Sequence, residues 1–196
     1  MSTCRCEFKV GYLDDFTLGD GPQLLATEIT RLEGMASELG LTFNTSKCEV
    51  ISAGASSDLP QVLKRFKQVD VAHGMLLGSP LSIREGMDEL LEARVHGLEV
   101  VSARLRLLHA HHALLILKNS ISLPSLLHIL RSAPCCGHPA LHKFEEVLRD
   151  SISSVLNVYL DDVQWLQASL PVREGGLGIR SAIQLPPSAF LASATA

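Results

Sequence analysis

The stretch that decides the fold is FKVGYLDDFTLG, residues 8–19. Two sets of side chains alternate along its first half: Phe8, Val10 and Tyr12 on one side, and Glu7, Lys9 and Gly11 on the other. This period of two predicts a half-buried β-strand. Asp14 and Asp15 then mark a turn, after which Phe16 and Leu18 resume the alternation. The sequence therefore predicts a β-hairpin with two carboxylates at its tip.

Downstream of this hairpin, helix and strand signals alternate. Pro22 stands at a favoured first helical position, and Gly40 is a typical residue just past a helix end. The further predicted elements are a strand at 41–43, a strand at 48–51, a short helix at 59–66 behind the capping signal Ser56-Ser57-Asp58, and a strand pair within 69–77. The front part of the chain is thus predicted to be α+β.

The composition becomes helical after Pro80. Residues 83–121 predict two helices with a break near His96-Gly97, and Ser122-Leu123-Pro124 is typical of a helix start. Residues 139–168 carry apolar side chains at the 3–4 spacing of one long amphipathic helix. The tail from Gln184 is rich in Pro, Ser and Ala, which predicts fraying.

Composition and charge limit the functional classes. The chain is 46% apolar and 19% charged, which allows a sizeable core and argues against wholesale disorder. Its net charge of −4 argues against a free-standing nucleic-acid binder, because phosphate neutralisation supplies most of such a protein's affinity. A nucleic-acid contact would need a local basic face. The candidates are Arg94, Arg104, Arg106 and Lys118, and the alternative is a solvated helix surface.

The expected location is intracellular, without a membrane partner. No run reaches the roughly 18 consecutive apolar residues of a membrane span, and the first residues lack a signal-peptide hydrophobic region. The five cysteines are an odd number in a long chain, which favours reduced thiols.

The tetrapeptide Tyr-Leu-Asp-Asp occurs twice, at 12–15 and at 159–162. The second copy continues a helical apolar stripe, which predicts that Asp161 and Asp162 lie on a solvated helix surface. The first copy lies between two strands, where both carboxylates can face one bound ion. Mg²⁺ prefers hard oxygen ligands, and the alternative for Asp14 and Asp15 is a plain polar turn.

Three other groups are weaker candidates. Cys135, Cys136, His138 and His142 include zinc-ligand types, but adjacent cysteines are poorly placed for two tetrahedral positions, which favours a loop between helices. His109, His111 and His112 lie in a predicted helix without a carboxylate partner, with His112 facing the core. Residues 175–178 lack the Lys-Ser/Thr of a phosphate loop and predict a flexible turn.

Five segments occur in an order that one polymerase family shares: GYLDDFTLGD (11–20), the helix at 22–39, GLTFNTSKC (40–48), LGSPL (77–81) and LPVREGGLGIRS (170–181). The first resembles the Y-x-D-D hairpin of reverse transcriptase palms, and the third resembles the palm motif G-L-x-x-N-x-x-K. The fourth resembles the Leu-Gly turn that supports the primer strand. The helical region resembles a thumb, and the last segment is similar to one that follows the thumb in LINE-type (non-LTR) retrotransposons. The resemblance covers most of residues 8–183.

The resemblance implies an α+β fold with a partial palm at residues 1–81, a helical thumb-like region at 82–168, and a Gly-rich segment with a flexible tail at 169–196. It implies that Asp14 and Asp15 bind Mg²⁺, with Asp14 the more direct ligand. Lys47 would protonate the departing pyrophosphate, and an exposed strand-end lysine is its alternative. Tyr12 would lie near the primer or template, or else in the core. Gly78 would allow close approach of the primer, or be an ordinary turn glycine.

The implied activity is RNA-directed DNA polymerisation on an RNA template and DNA primer duplex. The family's third metal-binding Asp and its fingers lie upstream of the hairpin, and only 13 residues precede Asp14. We therefore expect a polymerase fragment that is inactive alone. The alternative is a non-catalytic nucleic-acid- or protein-binding remnant of a retrotransposon.

Overall fold

The computed structural model describes residues 4–54 and 58–195, and the chain divides after Val71 into two compact units. The fold is mixed α+β with helices predominating, which confirms the predicted class. Ser56 and Ser57 of the predicted capping signal lie outside the described residues. The palm and thumb boundaries inferred from the resemblance stay predictions.

The first unit begins with the predicted hairpin. Strands β1 (Phe8–Tyr12) and β2 (Asp15–Gly19) pair antiparallel, with Tyr12 opposite Asp15. The prediction that β1 is half-buried is wrong, because all five of its residues are exposed. A two-stranded ribbon buries a face only where another layer covers it, and both Val10 and Tyr12 remain in solvent.

The rest of the first unit combines helix α1 (Pro22–Glu38) with a parallel strand pair, β3 (Glu49–Ser52) and β4 (Lys67–Asp70), joined through helix α2 (Gln61–Lys64). Its small core centres on Leu59, Leu63 and Phe66. Helix α1 and strand β3 are confirmed, α2 is shorter than predicted, and the predicted strand at 41–43 is irregular.

The second unit is a helical bundle with one short hairpin. A 3₁₀ turn (Val71–His73) precedes strands β5 (Met75–Leu76) and β6 (Ser79–Pro80), and a second 3₁₀ turn (Val172–Glu174) follows α7. The helices are α3 (Glu85–Leu105), α4 (Ala110–Ile116), α5 (Leu123–Ser132), α6 (Pro139–Leu156), α7 (Asp162–Ser169) and α8 (Pro186–Ala194), with a π-helix (Leu117–Ile121) joining α4 to α5. Helices α3, α5 and α6 supply most of its core.

Two helix predictions for this unit are wrong. Helix α3 runs through Gly97, and the chain breaks at 106–109 instead. The long helix predicted at 139–168 ends at Leu156, because Asn157 adopts a left-handed conformation with φ of 53°. The tail from Gln184 contains α8, which packs against α5 and buries Pro186, and its predicted fraying stays a prediction.

Residues Ala110–Ser132 are long and apolar enough to cross a membrane by length and composition alone. Several of their side chains, Leu117, Leu126 and Leu130 among them, are fully buried in the core of the second unit. Core helices of soluble proteins share this composition, so the predicted absence of a membrane partner stays a prediction.

Candidate functional site

The apex of the first hairpin is a two-residue turn formed by Leu13 and Asp14. Asp15 is the first residue of β2 and pairs with Tyr12 across the ribbon. Both carboxylates are exposed, and neither forms an ion pair or a side-chain hydrogen bond within residues 4–54 and 58–195. The turn therefore presents two adjacent carboxylates to solvent without a protein cation between them.

Leu13 adopts a φ of 55° and is 90% exposed. Two-residue hairpin turns need a positive φ at their first central position, and glycine or asparagine usually supplies it. A leucine there carries steric strain of about 1–3 kcal/mol, and such strained residues cluster at functional sites. The conformation thus costs stability at the position next to the carboxylate pair.

The open end of the hairpin is fixed by Asp20. Its carboxylate accepts hydrogen bonds from the backbone N–H of Glu7 at 2.9 Å and from that of Gly21 at 2.7 Å. These two bonds hold the pKa of Asp20 below its ordinary value, with the Glu7 bond the larger cause. The ribbon is therefore tied at its base, while its tip remains free.

Lys47 lies in the turn that precedes β3 and is exposed. Its backbone N–H donates to the carbonyl of Asn44 at 3.0 Å, which closes the turn. Phe43, four residues earlier, packs against Phe16 of β2 with ring centroids 5.4 Å apart. This aromatic contact connects the loop that carries Lys47 to the strand that begins at Asp15.

Tyr12 is 65% exposed at the end of β1, so the core-packing alternative for it is wrong. Its ring lies on a ribbon whose apolar side chains Phe8 and Val10 are also exposed. Such a side is available to a binding partner.

Gly78 belongs to the second unit, in the turn between β5 and β6. Leu77 has φ of 49° and Gly78 φ of 79°, the pair of positive angles that a type I′ turn requires. His128 of α5 donates from Nε2 to the carbonyl of Leu77 at 2.9 Å. A Cβ added at Gly78 would lie 3.5 Å from the same Nε2, so the turn rests against α5 of its own unit.

The second Tyr-Leu-Asp-Asp copy has a structural explanation. Asp161 is the N-cap of α7 and forms a capping box with Gln164, and Arg149 donates to Asp162 at 2.7 Å. Both carboxylates are on the surface as predicted, but they lie at a helix start rather than within a continuous helix. The two copies therefore differ, since this pair has protein partners.

The Cys-His cluster is divided between separate roles. Cys135 is buried, and burial raises its pKa, whereas Cys136 is exposed. His138 caps α6 by accepting from the Ala140 N–H and donates to Asp88 at 2.7 Å. His109, His111 and His112 are all exposed, so the prediction that His112 faces the core is wrong. Within the described part of the chain, no three His, Cys, Asp or Glu side chains are grouped to hold a metal.

The sequence identified some, but not all, of the basic residues that the structure brings together. Arg94, Arg104 and Arg106 are exposed on or just after α3, while half-buried Lys118 lines a cavity together with Arg180. Arg180 was missed, because it follows the Gly-rich segment and no helical periodicity connects it to Lys118.

Comparison of the chain with models of protein families, with curated proteins and with solved structures gives no match.

Proposed function

We propose that this chain is the C-terminal palm part and the thumb of a LINE-type reverse transcriptase, an RNA-directed DNA polymerase. The observation that carries the proposal is the hairpin turn, where Asp14 and Asp15 are exposed, adjacent and without a protein cation. The order of the motifs that follow, from Gly40 to Ser181, supports the same assignment. The partner would be an RNA template with a DNA primer.

The chemistry assigned to the turn is two-metal nucleotidyl transfer. Asp14 and Asp15 would hold Mg²⁺ together with phosphate oxygens, and the bound metal would supply activation of the attacking hydroxyl and stabilisation of the leaving group. Asp14 would be the more direct ligand, and Asp15 the second. Lys47 would donate a proton to pyrophosphate, and the Phe16–Phe43 contact supports this role because it connects the two segments.

Primer contacts are assigned to Tyr12 and Gly78. Tyr12 offers an exposed ring two residues before Asp14. Gly78 is exposed in the turn between β5 and β6, and its assignment rests on the resemblance of residues 77–81 to the turn that supports the primer strand.

Two carboxylates alone bind a divalent ion weakly, so we expect no primer extension by this chain by itself. Metal binding is the direct test. A divalent ion about 4 Å from one carboxylate gains about 2 kcal/mol even in water, so Asp14→Asn or Asp15→Asn should weaken Mn²⁺ binding at least tenfold. Electron paramagnetic resonance of Mn²⁺ titrated into the full chain measures this affinity.

The control is Asp162→Asn in the second tetrapeptide copy, which removes the same charge and should leave Mn²⁺ affinity unchanged. Equal losses in all three variants would contradict a metal site at the turn. Robust primer extension with Mg²⁺ that Asp14→Asn abolishes would contradict the expected inactivity while supporting the polymerase assignment.

A second candidate function is a non-catalytic nucleic-acid- or protein-binding remnant. The exposed apolar side of the hairpin, formed by Phe8, Val10 and Tyr12, favours it. This alternative predicts that binding of a template–primer duplex is indifferent to Mg²⁺ and to Asp14→Asn, whereas the polymerase proposal predicts that both change it.

A further inference from the structure

A small cavity lies where the π-helix, the start of α5 and the Gly-rich segment meet in the second unit. Its volume is about 220 Å³. Its lining includes the polar side chains of Lys118, Asn119 and Arg180, apolar side chains at the start of α5, and Gly178. This volume is below the roughly 300–1,000 Å³ of pockets for whole small molecules. The cavity therefore suits one charged group rather than a complete ligand.

The charge in this cavity is of one sign. Lys118 and Arg180 both line it, no carboxylate does, and neither cation forms an ion pair within the described residues 4–54 and 58–195. The chain as a whole carries a net charge of −4, so the charge at this cavity is opposite in sign to the net charge of the chain. Their mutual repulsion would be relieved by a bound anion.

The backbone around the cavity departs from regular structure at two points, and the first of them is the π-helix. The N–H of Ser122 donates to the carbonyl of Leu117 at 2.8 Å, the five-residue spacing of a π-helix, and Lys118 lies within this turn. Short π-helices of this kind occur frequently at functional sites.

The second point is Gly178, with φ of 71°. A Cβ there would lie 3.0 Å from Nζ and 3.2 Å from Cε of Lys118, so the end of this side chain lies close against the backbone of the segment that carries Arg180.

We propose that this cavity binds a phosphate group. Arginine recognises phosphate through paired N–H donors and lysine acts as a compact point charge, so Arg180 and Lys118 supply the charge and the types of donor that a phosphate group needs. The side-chain amide of Asn119 adds a neutral donor at the same cavity. This inference does not depend on the polymerase proposal, because it concerns other residues and needs no metal.

The phosphate can belong to a free phosphomonoester or to a phosphodiester chain. A second cavity of about 450 Å³ shares Pro124 and Leu127 with the first and continues along α5 to His128 and Arg131. Arg131 also has no ion-pair partner among the described residues. A ligand with further phosphates would reach Arg131, whereas a single phosphate would not.

Pyrophosphate is the probe, titrated calorimetrically into the full chain without metal. Lys118→Gln and Arg180→Gln should each weaken its binding about tenfold or more, the loss expected for a hydrogen bond to a charged group. Arg84→Gln removes the same charge from an exposed position just before α3 and should change the affinity less than about twofold. Thermal melting of each variant verifies that it remains folded.

Competition experiments distinguish a phosphomonoester ligand from a phosphodiester ligand. Displacement of pyrophosphate by a short single-stranded oligonucleotide, weakened by Arg131→Gln, identifies a phosphodiester. Displacement by a nucleoside monophosphate but not by the oligonucleotide identifies a phosphomonoester, and either result supports the site. Absence of pyrophosphate binding, or equal losses in Lys118→Gln, Arg180→Gln and Arg84→Gln, would overturn the proposal. A failed Mn²⁺ test at Asp14 would leave it unaffected.

Discussion

Glu28 is a buried carboxylate in the first unit and is only 2% exposed. It accepts hydrogen bonds from Nη2 of Arg31 at 2.7 Å and from the backbone N–H of Arg5 at 3.3 Å. The Arg31 bond is the main reason that the pKa of Glu28 lies below its ordinary value of 4.5. Because the folded-state pKa is depressed, this contribution to stability is present above about pH 4.5 and is lost as pH falls through the folded pKa.

We therefore predict that Glu28→Gln reduces stability at neutral pH and flattens its decline in acid. Urea unfolding followed by far-UV circular dichroism from about pH 7 to pH 3 measures both effects. Glu38→Gln is the control, since Glu38 is an exposed carboxylate in the same helix and should keep the wild-type pH dependence. An equal acid slope in wild type and Glu28→Gln would contradict the assignment.

For single residues, the sequence predicted the place in the secondary structure better than it predicted whether the side chain is buried. Asp14 and Asp15 were placed at a hairpin apex, because alternation and turn chemistry are local signals. The exposure of Val10 was not predicted, since alternation identifies the two sides of a strand but not whether another layer covers either one. His112 was wrongly placed in the core for a similar reason, as the adjacent Ala113 is the buried residue.

Among the elements, the Gly-rich segment differs most from its prediction as a flexible turn. It folds back on α7: the Gly178 N–H donates to the carbonyl of Leu170 at 2.8 Å, and the Leu177 N–H donates to that of Ala168 at 3.0 Å. The segment ends at Ile179, which is fully buried. Backbone hydrogen bonds to another element hold it in place, and composition alone carries no signal for them.

Gly176 is the tightest point of this segment. A Cβ there would lie 2.1 Å from the carbonyl oxygen of Leu170, so Gly176→Ala must displace backbone. We predict a loss of about 2–4 kcal/mol in unfolding free energy, measured by urea unfolding with tryptophan fluorescence. The control is Gly97→Ala in helix α3, where no atom lies within 4 Å and the change should stabilise by up to about 1 kcal/mol. Equal effects at both glycines would contradict this account.

Helix ends show what a periodic pattern leaves out. The apolar spacing of 139–168 continues in phase across Asn157, so periodicity predicted one helix where the structure has α6 and α7. Two local signals were present, a residue type that tolerates left-handed backbone and the capping-box pair Asp161 and Gln164. Capping chemistry is therefore the better guide to where these helices end.

Across the whole molecule, the two units differ in the size of their cores. Within the described residues, the main cluster of the first unit has three buried apolar residues, whereas that of the second has 21. Burial of apolar surface is the main stabilising contribution, and a unit of about 70 residues buries a smaller fraction of its surface than a larger one. The sequence predicted the α+β class because local patterns identify elements, but this imbalance depends on long-range packing.

We predict that the two units unfold in separate steps, the first unit before the second. Trp165 is the single tryptophan and lies in α7, where its indole N–H donates to Glu145 at 3.2 Å, so its fluorescence reports the second unit alone. Far-UV circular dichroism reports both units. In a urea titration, part of the far-UV dichroism should be lost while the tryptophan fluorescence is unchanged. The reason is that the unit with the smaller core should unfold at a lower denaturant concentration.

Two matched core truncations assign these steps. Leu63→Ala removes a buried side chain from the first unit and Leu148→Ala removes one from the second, each at a cost of about 2–5 kcal/mol. The first variant should move only the early dichroism step, and the second should move only the fluorescence transition. If both probes gave one coincident transition in the wild type, and each truncation shifted it as a whole, the chain would unfold as a single cooperative unit and the small core would derive its stability from the large one.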